Sequence, residues 1–223
     1  WAVEPGQQAL LQYMFNYMDV LAGESVMRRK MVIPLITHPV ATKDTKQFMI
    51  PFDERMDTIA VQWHRYSKHY IIPAMLVRNI KHPSGATIPT CLLGCTDESM
   101  ATGMFDFQHT YGNWDQFIYL LSHCSIALTF STVSSHSRFA EEDACLGIPC
   151  IGTNNQYMVN ILYPRLSHNI IDLFGMRRNL ERLVKDEDFY KEVVSYAQDK
   201  VEDYNWENSK ARLLKAMAEQ GVM

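Results

Sequence analysis

The stretch from Ile126 to Thr153, IALTF STVSSHS RFAEEDACLG IPCIGT, decides the fold. Ile126–Phe130 is a short β-rich run and Ser131–Ser137 a hydroxyl-rich loop. Phe139–Leu146 follows as a helix closed by Gly147, and Pro149 leads into a second β-rich run, Cys150–Thr153. A strand, a crossover helix and another strand form the repeating unit of a parallel sheet. The alternation continues in both directions. Strands are expected at Thr58–Trp63, Ile88–Leu93, Phe105–His109 and Asn169–Ile171. Helices are expected at Ala74–Ile80, with Pro73 leading it, and at Trp114–Ser122 and Gln156–Leu162. Six strands so ordered predict an α/β fold built on a doubly wound parallel sheet.

Beyond Phe174 the pattern changes to charged, amphipathic and proline-free runs, Met176–Lys185, Asp188–Tyr204 and Trp206–Gln220. Three closing helices are expected there, with Asp186-Glu187-Asp188 at the positive end of the second. Upstream, Ala9–Val20 reads as a helix, Lys30–Leu35 as a strand and Pro39–Arg55 as an irregular connection. The organisation expected is therefore a remnant of a preceding domain plus linker over 1–56, a sheet domain over 57–174, and helices over 175–223 packed on it. The opening Trp1-Ala2-Val3-Glu4 reads as the start of an internal fragment.

With 21 Lys+Arg against 25 Asp+Glu, the net charge of −4 argues against binding of a nucleic-acid backbone. At 47% apolar and 21% charged residues the chain has material for a packed core. The longest apolar run, Ile71–Val77, is interrupted by Pro73 and is far below the roughly 20 residues of a membrane span. Five cysteines, an odd number spread through apolar runs, fit reduced thiols and a cytoplasmic setting. Cys91, Cys95, His123 and His136 lack zinc-ligand spacing, so no metal site is expected.

Loops at the carboxyl ends of strands are where an open α/β sheet binds ligands. After the first strand, His64-Arg65-Tyr66-Ser67-Lys68-His69 places Arg65 and Lys68 where both can face one anion. After the fourth, Ser131–Ser137 leads into a helix start, suiting either a phosphate or plain capping. Next, Glu141-Glu142-Asp143 reads either as a solvated acidic face or as carboxylates able to accept from ribose hydroxyls. Together the cations, the helix start and the acceptor make the set that a sugar linked to a nucleoside diphosphate requires.

These residues resemble the carboxy-terminal, donor-binding half of GT-B glycosyltransferases of the retaining, glycogen-synthase-like type. Glu142-x4-Gly147-x-Pro149, with the small Ala144 and Cys145, is similar to the family's Glu-Ala-x-Ala-x-Gly-x-Pro motif, and the similarity extends over roughly residues 31–220. The resemblance implies a Rossmann-like donor domain that needs no metal or other cofactor. It also implies phosphate contacts from Arg65 and Lys68, in the catalytic role of stabilising the leaving diphosphate. Donor binding is implied for Gly94, His109, Ser134, Ser135, His136, Ser137 and Glu142, with the ribose on Glu142 and the base bordered by Phe107–Gly112. The expected substrates are a nucleotide-sugar and an unidentified acceptor.

Two positions depart from the family pattern. Ser134 stands where the first acid of the family's Glu-x7-Glu arrangement belongs, and too few residues precede the sheet domain to form an acceptor-binding half, whose usual His has no counterpart here. The fragment is expected to be inactive alone. Ser134 also keeps open a degenerate GT-B module that binds a nucleotide or a protein without catalysis. A nucleotide-sugar epimerase would share the architecture but needs further acids, for which no residues are apparent.

Overall fold

The computed structural model describes residues 39–62, 71–95, 103–110 and 112–219. The helix expected at Ala9–Val20 and the strand at Lys30–Leu35 lie outside them. Two compact units are present. One is Thr42–Val201; the described residues of the other are 39–41 and 202–219.

In the larger unit the elements are α1 (Thr42–Lys46), a 3-10 turn (Phe52–Glu54), β1 (Met56–Gln62), α2 (Ile71–Val77), β2 (Thr90–Cys95) and β3 (Phe107–Thr110). Then come α3 (Trp114–Ser122), β4 (Cys124–Thr129), α4 (Arg138–Leu146), β5 (Cys150–Thr153), α5 (Tyr157–Leu162), β6 (Ser167–His168), α6 (Leu173–Lys185) and α7 (Glu187–Val201). The six strands form one all-parallel sheet in the order β3-β2-β1-β4-β5-β6, so the expected doubly wound α/β architecture is present. β4 and β5 are buried throughout, as parallel strands covered on both faces must be. Ile59, Ala60 and Val61 of β1 sit in register with Ile126, Ala127 and Leu128 of β4.

Gly147 ends α4 at φ 70°, a left-handed conformation that glycine adopts without steric cost. The Ile148 amide then donates back to the Asp143 carbonyl at 2.9 Å. The Arg55 guanidinium covers the remaining carbonyls of that helix end, donating to Leu146 O and Gly147 O at 2.6 Å each. Arg55 also donates to Ile50 O and to the Tyr190 hydroxyl, tying the segment before β1 to α4 and α7.

Several boundaries differ from the sequence expectation. Pro39–Arg55, read as irregular, contains α1 and the 3-10 turn. α2 begins at Ile71 and ends at Val77, and Asn79, at φ 59°, turns the chain out of the helix. The strand expected at Asn169–Ile171 is a turn, because the Asn169 side chain accepts from the Ile171 amide at 3.1 Å, and β6 lies just before it.

In the smaller unit a 3-10 turn (Glu202–Tyr204) leads into α8 (Trp206–Glu219). The Val40 amide donates to Tyr204 O at 2.8 Å, Asn205 Oδ1 accepts from the Asn208 amide at 2.8 Å, and Arg212 lies over the Tyr204 ring. No described helix is long and apolar enough to cross a membrane.

Candidate functional site

The strand order reverses between β1 and β4: the chain runs out through β2 to β3, then returns to β4 and continues to β6. The carboxyl ends at that reversal are the default ligand position of such sheets. Its floor is a buried polar network. Thr129 Oγ1 lies 2.6 Å from Gln62 Oε1 and 3.0 Å from Gln156 Oε1. Thr153 Oγ1 donates to Ser131 O at 2.9 Å, and Asn155 Nδ2 donates to the same carbonyl at 2.8 Å. These bonds fix the base of the Ser131–Ser137 loop against β5 and the start of α5.

The loop then delivers the amino end of α4. Ser137 occupies the N-cap position at φ 63° and makes no side-chain capping bond. Plain capping, the structural alternative for this hydroxyl cluster, is therefore not what the serine does. The Ser135 and Ser137 hydroxyls and Asn155 Oδ1 are buried without a hydrogen-bond partner among the described residues. Buried polar atoms are nearly always paired, so three such atoms around one helix start constitute unused capacity to bind. A non-glycine residue held at positive φ beside them is a conformation that cores avoid and binding sites tolerate.

All three consecutive acids of α4 are buried: Glu141 at 2% exposure, Glu142 at 7% and Asp143 at 0%. The solvated acidic face that composition alone suggests is thus not present. Each acid faces a different environment. Glu141 Oε1 pairs with His136 Nε2 at 2.7 Å, so His136 holds the loop to the first turn of α4. Glu142 Oε1 accepts from the Trp114 indole N–H at 3.0 Å and from Arg138 Nε at 3.2 Å. Asp143 points into the core, beside Cys150.

Burial pushes the Glu142 carboxyl up from 4.5 to about 7, against the Trp114 N–H and Arg138, which favour its charged form. Asp143 is likewise raised well above the usual carboxylate range by burial. Burial also raises the thiols of Cys91, Cys124 and Cys150, which places them among inert core cysteines.

Next to Trp114, at the carboxyl ends of β2 and β3, lies a mainly apolar cavity of about 510 Å³. Phe48, Leu93, Gly94, His109, Phe117 and Leu120 line it. The structure thus brings Gly94 and His109 together in one pocket, and places Ser135 and Ser137 just before α4 and Glu142 on it. Ser134 is exposed on the loop. Arg65 and Lys68 lie outside the described residues, in the segment that leaves β1 after Gln62. Sequence reading missed Trp114, Phe48, Asn155 and Gln156. Trp114 had a signal, since it follows the α3 cap Asn113 directly in a strand-end loop; Phe48 had none.

No family model matches the chain, and no curated protein matches it by sequence. Solved structures do match its fold. Sucrose-phosphate synthase from Thermosynechococcus elongatus aligns at TM-score 0.63 and 15% identity over 99% of this chain and 57% of that one. Trehalose 6-phosphate synthase from Burkholderia multivorans aligns at TM-score 0.68 and 12% identity, over 99% and 59%. A trehalose-6-phosphate protein from E. coli bound with UDP-2-fluoro glucose aligns at TM-score 0.62 and 11% identity, over 82% and 51%. The chain spans a little over half the length of these structures. What it shares with them at such identities is architecture, and that architecture is the GT-B glycosyltransferase fold.

Proposed function

We propose that this chain is the donor-binding half of a glycosyltransferase, taking a nucleoside diphosphate sugar at the carboxyl ends of β1 and β4. The observation that carries the reading is the amino end of α4, where Ser137 makes no side-chain capping bond and the unpartnered Ser135 and Ser137 hydroxyls lie one to two turns before a buried Glu142. A helix start with free N–H groups suits a diphosphate, and a carboxylate suits two vicinal ribose hydroxyls. The apolar cavity lined by Phe48, His109 and Phe117 suits the base. The match to a protein bound with UDP-2-fluoro glucose supports the same ligand class.

In this reading the chain acts on the leaving group. Charge develops on the diphosphate as its bond to the sugar breaks, and groups aimed at that charge before the reaction starts lower the barrier most. The amides of α4 supply part of that field; Arg65 and Lys68 supply the cationic part. Glu142 orients the ribose and thereby the diphosphate attached to it. The acceptor and its binding half belong to the rest of the protein, and Ser134 in place of an acid leaves the donor sugar without a carboxylate at that position.

Hydrogen exchange with and without UDP, GDP and ADP tests this. One nucleotide should protect amides in 131–142 and 109–116. Protection confined to other segments, or none with any nucleotide, would remove the donor site from this edge.

A further inference from the structure

The groove of about 440 Å³ between α2 and the segment before β3 exposes Met75 and Met104, but nothing identifies what covers it. Asp143 is fully buried in the core, beside Cys150. The contact between Trp114 and Glu142 joins two helices, α3 and α4, beside Phe48, which itself lines the apolar cavity.

We infer that Trp114 is a positioning residue for the nucleotide: its indole N–H fixes the Glu142 carboxylate so that the second oxygen meets the ribose hydroxyls. The inference rests on the donor-site reading given above. Trp114 opens α3 and Glu142 lies on α4, 28 positions away, so the 3.0 Å bond is a tertiary contact rather than a local accident of helix geometry. The tryptophan is itself held from both sides. Asn113 caps its helix by accepting from the Gln116 amide at 2.9 Å, and Phe48 meets the indole edge to face at 6.2 Å between ring centres.

Both donors to Glu142 use Oε1. Arg138 is the weaker anchor, because its side chain is 71% exposed and so screened by water, whereas the indole bond is partly buried. Charged groups on the elements around Glu142 are Arg138, Glu141 and Asp143 on α4, Lys43, Asp44 and Lys46 on α1, and Asp115 on α3. α5 carries none, and α7 meets α4 at its far end, Gln198 near Gly147. A neutral N–H that favours the charged carboxyl without adding net charge is what an acceptor for hydroxyl donors needs.

The test is calorimetric titration of the full 223-residue chain with UDP, GDP and ADP and with their 2′,3′-dideoxy forms, across pH 5.5–8.5. Trp114→Phe should weaken the best ribonucleotide about 10-fold and move the acid limb of its affinity up by about one pH unit. It should leave the dideoxy form unchanged and have no effect in a Glu142→Gln background. Equal losses for ribo and dideoxy forms would reduce Trp114 to a packing role and overturn the inference, as would an unchanged Trp114→Phe. If Glu142→Gln binds as the parent does, or if no nucleotide binds, the donor-site reading falls and takes the inference with it. Wild-type protein gives a readout that needs no variant: the indole N–H resonance of Trp114 should titrate near pH 7 and shift on nucleotide addition. An indole resonance blind to both would contradict the assignment.

Discussion

Replacing Glu142 by Gln removes one buried titration while keeping shape and hydrogen-bonding capacity. Burial raises the carboxyl from 4.5 to about 7, so the folded state holds a proton that the unfolded chain releases at lower pH. Between those values the unfolded state binds fewer protons, and stability must fall as pH rises, by about 1.4 kcal/mol per unit. The stabilisation is complete below about pH 4.5 and is lost by about pH 7, a span worth roughly 3 kcal/mol. Asp143 adds a slope of the same sign that is mostly common to both proteins, since burial is its largest cause and the neighbouring Glu142 charge its smallest. Urea unfolding at pH 4.5, 5.5, 6.5 and 7.5 gives that difference directly. The wild-type curve should drop relative to Glu142→Gln across this window and run parallel above it. Parallel curves throughout would mean that the carboxyl is solvated in the folded state and would refute its burial.

Arg55→Ala removes a guanidinium that covers two carbonyls of α4 and bonds to Tyr190. It should cost about 3–5 kcal/mol, a fall in Tm on the order of 10 °C by calorimetry, whereas a loss under 1 kcal/mol would show that water replaces it. Gly175→Ala would place a Cβ 2.1 Å from Asp172 Oδ2. The displaced cap of α6 should cost about 1–2 kcal/mol in urea unfolding, and an unchanged midpoint would contradict that packing. Arg65→Ala should weaken donor binding or slow transfer in the full-length protein by about 10- to 1,000-fold, equivalent to about 1.4–4 kcal/mol, and wild-type kinetics would take Arg65 out of the site.

Most of the sheet was legible because its signals are local. Gly147 and Pro149 mark the end of α4 and the entry to β5, and Cys150–Thr153 is the strand that its apolar run implies. Local signals fail where a side chain competes with the backbone. Asn169 folds the chain into a turn at the expected strand, and α1, five residues long, is too short to show a helical period. The candidate site was legible as residue types and illegible as contacts. Glu141, Glu142 and Asp143 look alike in sequence, yet one pairs with His136, one meets Trp114 on another helix, and one is sealed behind β5. Which acid faces a ligand is set by tertiary packing, and no spacing rule encodes the meeting of Trp114 with Glu142.

The most direct measurement is calorimetric titration of this chain with UDP, GDP and ADP, with and without magnesium, beside Glu142→Ala. A nucleotide-sugar site predicts micromolar binding of one nucleotide, independent of magnesium and lost in the variant. Binding that persists undiminished in Glu142→Ala, or the absence of binding by all three, would contradict the claim that α4 and Glu142 form a donor site.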